Sequence, residues 1–166
     1  PYAVIADLSQ KISSVLILPL AFSVLPLINS NNLNDDFFGR GRYYIILLFS
    51  SIGLSGMVLT AYWIASKLNL IEDFSNSIAI GEVYLICLGL TLLQLSILAH
   101  KIFEIKGHTK YMVYFMSIAV TAYFLVILST YLVLGIGSFY LANIVAGCTY
   151  IILCAYGAKN VSSQKT

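Results

Sequence analysis

The chain has 166 residues, of which 60% are hydrophobic and only 10% are charged, with a formal net charge of +2. An average soluble domain is about 25% charged, so this composition excludes an ordinary water-soluble globule. The small and scattered net charge also argues against nucleic-acid binding. Because helices satisfy their own backbone hydrogen bonds in lipid, the composition predicts an all-α integral membrane protein.

The first predicted transmembrane span covers about residues 3–28. It contains Pro19 and Pro26, and each proline removes a backbone hydrogen bond and bends a helix. We therefore expect this span to be bent or locally unwound. Asp7 and Lys11 precede its densest apolar part and lie one helical turn apart, which predicts an ion pair.

The second predicted span, about residues 43–65, has aromatic residues at both ends. Tyr43 and Tyr44 stand at one end, and Tyr62 and Trp63 at the other. A separation of 19 residues corresponds to about 29 Å of helix. This spacing matches the two aromatic belts at the interfaces of a bilayer.

Three further apolar runs complete a predicted bundle of five transmembrane helices in a single domain, residues 1–166. The third helical pattern continues past Ala99, through His100 and Lys101, to about Glu104. The fourth and fifth spans meet at the uncharged sequence Gly135-Ile136-Gly137, and a different division there would leave four spans. The remaining spans are about 78–103, 111–134 and 138–158, followed by a polar tail, 159–166.

The basic residues predict the orientation, because short loops rich in Lys and Arg stay in the cytoplasm. Only two of the nine lie on one side, Lys11 and Lys67, so the N-terminus is expected outside and the C-terminus in the cytoplasm. The other seven fall together on the opposite side: Arg40, Arg42, Lys101, Lys106, Lys110, Lys159 and Lys165.

Apart from Asp7 near the start of the first span, Glu82 is the one carboxylate inside a predicted span, and intramembrane ionisable groups often mark ion or substrate paths. Asn143 is expected at a similar depth on the fifth span, and Lys11 enters from the same side. Gln94 is the only further polar candidate toward the inner half. A shallow acid near a helix N-terminus also has a favourable dipole, so a structural role for Glu82 is favoured.

The two histidines, His100 and His108, lie on one segment and cannot face each other as haem ligands from two helices. No cofactor and no metal site are predicted. We assign the histidines to a basic cytoplasmic face that would contact anionic lipid heads or a soluble partner. This face comprises Arg40, Arg42, His100, Lys101, Lys106 and Lys110.

Small residues recur at helical spacing in two spans, where they let helices approach closely. The pattern predicts helix packing, either within one chain or between subunits. Cys87, Cys148 and Cys154 all fall in apolar runs without a metal-binding or disulfide spacing, so buried structural cysteines are expected. The packing candidates are Ser51, Ser55 and Gly56 in the second span, and Ala142 and Ala146 in the fifth.

The chain contains none of the common hydrolase or nucleotide-binding signatures. The expected function is a non-catalytic integral membrane subunit that anchors, stabilises or regulates a membrane complex, with other subunits or as a homo-oligomer. A small oligomeric transporter or channel, with Glu82 and Asn143 near its path, is the alternative. A lipid-modifying or quinone-reactive enzyme is a third class, for which only His100 and Glu104 offer support.

The orientation is testable with an impermeant thiol reagent added to intact cells. A cysteine at Ser163 should be protected, because the C-terminal tail is expected in the cytoplasm. A cysteine at Asn76, between the second and third spans, should be labelled. The reverse pattern would refute the orientation, and labelling at both sites would refute the count of five spans.

Overall fold

In a computed structural model, the described part of the chain comprises residues 6–7, 9–15, 17, 42–67, 80–105 and 107–163. Its secondary structure is entirely helical, which confirms the predicted class. Residues 6–7, 9–15 and 17 form what we call the N-terminal segment. The five continuous helices are α1 (Arg42–Lys67), α2 (Ile80–Ala99), α3 (Lys101–Ile105), α4 (Thr109–Leu134) and α5 (Gly137–Ser163).

Four of these helices are long and apolar enough to cross a membrane, as expected of a multi-pass membrane protein. About 20 apolar residues suffice to cross the hydrocarbon core. The remaining predicted span, 3–28, lies largely outside the described residues, and so do Pro19 and Pro26. The four apolar stretches are Tyr43–Ile64, Gly81–Ala99, Thr109–Leu134 and Gly137–Ala158.

The four long helices form a row in the order α1, α2, α5, α4, with a smaller contact between α1 and α5. At one end of the row α1 runs antiparallel to α2, and the Tyr43 hydroxyl donates to the carbonyl of Leu98, 3.1 Å away. This bond satisfies one of the carbonyls that a helix leaves unpaired in its last turn. At the other end, α4 packs mainly on α5.

Close approach between α2 and α5 depends on glycine. A Cβ added at Gly147 would lie 2.9 Å from the Cβ of Leu92, and one at Gly89 would lie 3.1 Å from the Cβ of Asn143. The contacts advance in the same direction along both helices, so α2 and α5 run parallel. Since lipid is as apolar as a side chain, such van der Waals packing is what holds membrane helices together.

The predicted packing residues are distributed between the two helix interfaces of one chain. Ser51 and Ser55 are buried on α1, and the Thr91 side chain of α2 lies 3.5 Å from the carbonyl of Ser51. Ala142 and Ala146 are buried on α5. Gly56 differs, because a Cβ added there would meet nothing within 4 Å.

The N-terminal segment packs against α1 and α2. Ile12 contacts the small core cluster around Val58, Val83 and Ile86. Asp7 and Lys11 form the predicted ion pair at 2.7 Å, with both side chains largely exposed. Exposed pairs of this kind contribute little to stability, so this ion pair is not what holds the segment against α1 and α2.

The helical path breaks at His100, whereas the sequence predicted a continuous helix to about Glu104. α2 ends at Ala99, and α3 follows after one turn residue. The backbone amide of Phe103 donates to the carbonyl of His100 at 2.9 Å, which closes a tighter turn than an α-helix. The chain then leaves α3 through Gly107, whose φ of 73° lies in the left-handed region that glycine tolerates.

The turn between α4 and α5 lies at the predicted position. α4 ends at Leu134 and α5 begins at Gly137, with Gly135 at φ 53°. The Gly135 amide donates to the carbonyl of Tyr131, and the Ser138 hydroxyl donates to the carbonyl of Gly135. The long apolar run is therefore two helices.

The sequence predicted that the aromatic residues at both ends of α1 form interfacial belts. Those at the start of α1 are buried instead. Tyr43 and Tyr44 are buried, with 7% and 2% of their surface exposed, whereas Trp63 at the far end of α1 is 57% exposed. The Tyr43 hydroxyl donates to the carbonyl of Leu98 on α2, which explains why Tyr43 lies inside the bundle.

The close contact at Gly147 predicts a specific stability difference. Gly147→Ala should destabilise the fold by about 1–3 kcal/mol because its methyl group meets the rigid Cβ of Leu92. Gly56→Ala is the matched control, with open space around it, and should be neutral or stabilising by up to about 1 kcal/mol. Thermal unfolding in detergent measures both, and equal midpoints would contradict the α2–α5 packing.

Candidate functional site

Four polar side chains meet where α2 gives way to α3; we call them the polar cluster. The Tyr150 hydroxyl of α5 lies 3.2 Å from Nδ1 of His100. Nε2 of His100 lies 3.4 Å from Oε1 of Glu104, and Nζ of Lys101 lies 2.6 Å from Oε2 of Glu104. The cluster thus links three side chains close together in the sequence to Tyr150, which lies 50 residues after His100.

Both ring nitrogens of His100 have a polar neighbour. The Glu104 carboxylate faces Nε2, and the Tyr150 hydroxyl faces Nδ1. Which group donates in the Tyr150–His100 hydrogen bond depends on the tautomer of the imidazole. His100 follows the apolar stretch Gly81–Ala99. Burial lowers the pKa of its imidazole below the usual 6.5, against an opposing effect of the Glu104 charge.

An aromatic contact anchors α3 and thereby positions the cluster. Phe103, only 1% exposed, packs edge-on against Phe115 of α4 with ring centroids 5.9 Å apart. Gly157 of α5 gives these rings room, since a Cβ there would lie 2.7 Å from the Phe115 ring. With Phe103 held between two helices, His100 and Glu104 on either side of it have fixed positions.

An apolar groove begins at the polar cluster and runs between α2 and α4. Its volume is about 270 Å³. Small residues of α5 form its floor, and His100 and Tyr150 close one end. Tyr123 of α4 also lines the groove. The remaining lining residues are Leu93, Ser96, Ile97, Met116, Ala119, Val120, Ala146 and Gly147.

The predicted basic face is only partly described. Arg40 and Lys106 lie outside the described residues, as does the side chain of Arg42 at the start of α1. Lys110 is exposed, as expected for this face. His100 and Lys101 instead turn toward Glu104, with 19% and 23% of their side chains exposed.

The structure separates the predicted path residues. Glu82 lies exposed in the first turn of α2. Asn143 lies beside Gly89, seven residues later on α2, which is about 10 Å farther along the axis. The expectation of a similar depth for Glu82 and Asn143 is therefore corrected.

Gln94 and Lys11 have partners in the N-terminal segment. The Gln94 amide donates to the carbonyl of Gln10 and to the hydroxyl of Ser14, each at 3.1 Å. Gln94 thus fastens the segment to α2. Lys11 pairs with Asp7.

The cysteines are free: Cys87 and Cys154 are buried, and Cys148 is partly buried. Among the described residues, no three His, Cys, Asp or Glu side chains lie close enough together to hold a metal ion.

Comparisons of the chain with protein-family models, curated proteins and solved structures found no match.

Sequence reasoning named His100, Lys101 and Glu104 but missed Tyr150. Glu104 had a readable signal, since it lies three and four residues after its two partners on a helical turn. No spacing in the sequence indicated Tyr150, because its contact with His100 depends on how α2 and α5 pack.

The environment of His100 predicts a loss of stability in mild acid. Because the folded protein favours neutral imidazole, the unfolded chain binds a proton at higher pH, and folding weakens as the pH falls below about 6.5. The midpoint temperature of thermal unfolding should therefore decrease when the pH is lowered from 7.5 to 5.5. His100→Gln should reduce this fall, and His108→Gln, the matched control, should not. An equal fall in His100→Gln and wild type would contradict this assignment.

Proposed function

We propose that the chain is a non-catalytic, multi-pass membrane subunit that anchors, stabilises or regulates a membrane complex, with other subunits or as a homo-oligomer. The proposed arrangement has five spans, with the N-terminus outside and the C-terminus in the cytoplasm. The orientation is supported by the distribution of Lys and Arg. The N-terminal segment supports the additional span, since it is helical and packs on α1 and α2.

The observation that carries the proposal is the exposure of α4. Only 6% of its apolar stretch is buried, against 50% for α2 and 39% for α5. Phe115 and Ala119 are its buried residues. Phe115 contacts Phe103 of α3 and lies against Gly157 of α5. The rest of α4 is therefore free for lipid or for another transmembrane helix.

One exposed side of α4 has the composition of a helix interface. We call this side the outer face of α4. It carries Ser117 and Thr121 one turn apart. Their hydroxyls donate to carbonyls of the preceding turn, so they cost little in lipid. Together with Tyr114, Ile118, Ala122 and Leu125 they form a shallow depression of about 310 Å³.

A depression of this kind favours a neighbouring helix over lipid alone. Transmembrane interfaces are enriched in Ser, Thr and Ala because small side chains let two backbones approach. The depression and the small side chains on α4 meet that requirement, whereas large apolar residues dominate the rest of its exposed surface.

Native mass spectrometry of the protein extracted from its own membranes tests the proposal. The wild type should appear with additional subunits or as a closed homo-oligomer. Thr121→Trp should reduce recovery of that complex by about tenfold, because the indole fills the depression. Val113→Trp is the matched control, 68% exposed on α4 but outside the depression.

Val113→Trp should leave the complex intact. A wild-type protein that is monomeric in mild detergent would refute the proposal. An unchanged complex in Thr121→Trp would show that the interface does not include the outer face of α4.

A further inference from the structure

The polar cluster continues into the helix bundle through α5. The Tyr150 hydroxyl, 3.2 Å from Nδ1 of His100, also forms a hydrogen bond with the thiol of Cys154. Cys154 follows four residues later on α5 and is completely buried. We call His100, Tyr150 and Cys154 the polar relay. Its two hydrogen bonds join an imidazole that directly follows α2 to a thiol inside the bundle.

Tyr44 of α1 brings a further hydroxyl to the inner end of the polar relay. Its side chain is only 2% exposed, and its hydroxyl has no hydrogen-bond partner among the described residues. The electrostatic neighbours of this hydroxyl are Cys154, Tyr43 and Tyr150. Because a buried polar group without a partner costs free energy, a change of hydrogen bonding at Cys154 bears directly on the contact between α1 and α5.

The outer end of the polar relay is open to protons from solvent. The side chains of His100, Lys101 and Glu104 are 19%, 23% and 38% exposed. Of the groups around it, His100 has the side chain whose ordinary pKa lies between pH 5 and pH 8. The other titratable or charged groups that the structure describes there are Lys101 and Glu104 of α3, Tyr150 and Cys154 of α5, Tyr123 of α4, and Tyr43 and Tyr44 of α1.

Protonation changes what His100 offers to its two neighbours. Neutral imidazole has one donor nitrogen and one acceptor nitrogen, so its two tautomers leave the direction of the Tyr150 hydrogen bond open. The imidazolium has two donors and no acceptor. Tyr150 then accepts from Nδ1, and Glu104 accepts from Nε2. The hydroxyl proton of Tyr150 becomes available to the sulfur of Cys154, which is a weak acceptor.

We infer that the polar relay is a pH sensor, in which a proton taken up by His100 from solvent turns the Tyr150 hydroxyl toward Cys154 at the contact between α1 and α5. The two hydrogen bonds of Tyr150 carry the inference, because one hydroxyl proton cannot be donated to both neighbours. The sensor goes beyond the assembly role proposed above and does not depend on it.

Two titrations of the full chain in phosphatidylcholine nanodiscs test the sensor. The ring ¹⁵N resonances that disappear in His100→Gln report the protonation of His100. The S–H stretching band that disappears in Cys154→Ala reports the hydrogen bonding of the thiol. We expect the ring to titrate below pH 6.5, because burial lowers the pKa of His100. The infrared band of Cys154 should shift with the same midpoint.

Tyr150→Phe separates the polar relay from a general effect of acid. It removes the hydroxyl and keeps the ring, so His100 should still titrate while the Cys154 band no longer responds to pH. His108→Gln is the matched control and should leave both titrations as in the wild type.

A Cys154 band that stays fixed while His100 of the wild type titrates would overturn the inference, whether or not Tyr150→Phe folds. A band shift that persists in His100→Gln or in Tyr150→Phe would overturn it too. So would an imidazole that stays neutral down to the pH at which the protein unfolds.

Discussion

The close contact between α2 and α5 is the constraint on which the rest of the described structure depends. In lipid, apolar side chains gain little by leaving the bilayer for each other, so packing at short distance has to hold the helices. Gly89 and Gly147 allow this short distance, because an added Cβ would lie only 3.1 Å from the Cβ of Asn143 at Gly89 and 2.9 Å from the Cβ of Leu92 at Gly147. Because the two helices run parallel, His100, directly after α2, lies within hydrogen-bonding distance of Tyr150 of α5.

The packing of α5 also determines the two regions to which we assign functions, the polar cluster and the outer face of α4. α2 and α4 both flank α5, so a groove remains between them with Ala146 and Gly147 as its floor. At its end, the aromatic contact of Phe103 with Phe115 holds α3 and completes the polar cluster. Since α4 touches the bundle mainly through α5, its outer face stays open.

The four long helices were predictable from the sequence, whereas the break at His100 and the mutual orientation of the helices were not. α1 begins at Arg42, one residue before the predicted span, and Gly135 marks the break between α4 and α5. An apolar run identifies a span by length alone. Which side of the helix faces protein is not encoded in the same way, because lipid and protein interior are equally apolar. Tyr43 and Asn143 illustrate this limit. Tyr43 is buried inside the bundle, and Asn143 lies about 10 Å farther along the axis of α2 than Glu82.

A cysteine pair at Gly89 and Asn143 tests the α2–α5 contact most directly, in a chain whose native cysteines are replaced by alanine. An added Cβ at Gly89 lies 3.1 Å from that of Asn143, and disulfides join Cβ atoms about 3.5–4.5 Å apart. Mild oxidation in native membranes should therefore link the pair within one chain, and a pair at Gly53 and Asn143 should stay reduced. Linkage only between chains, or equal linkage of both pairs, would contradict the arrangement of α2 and α5.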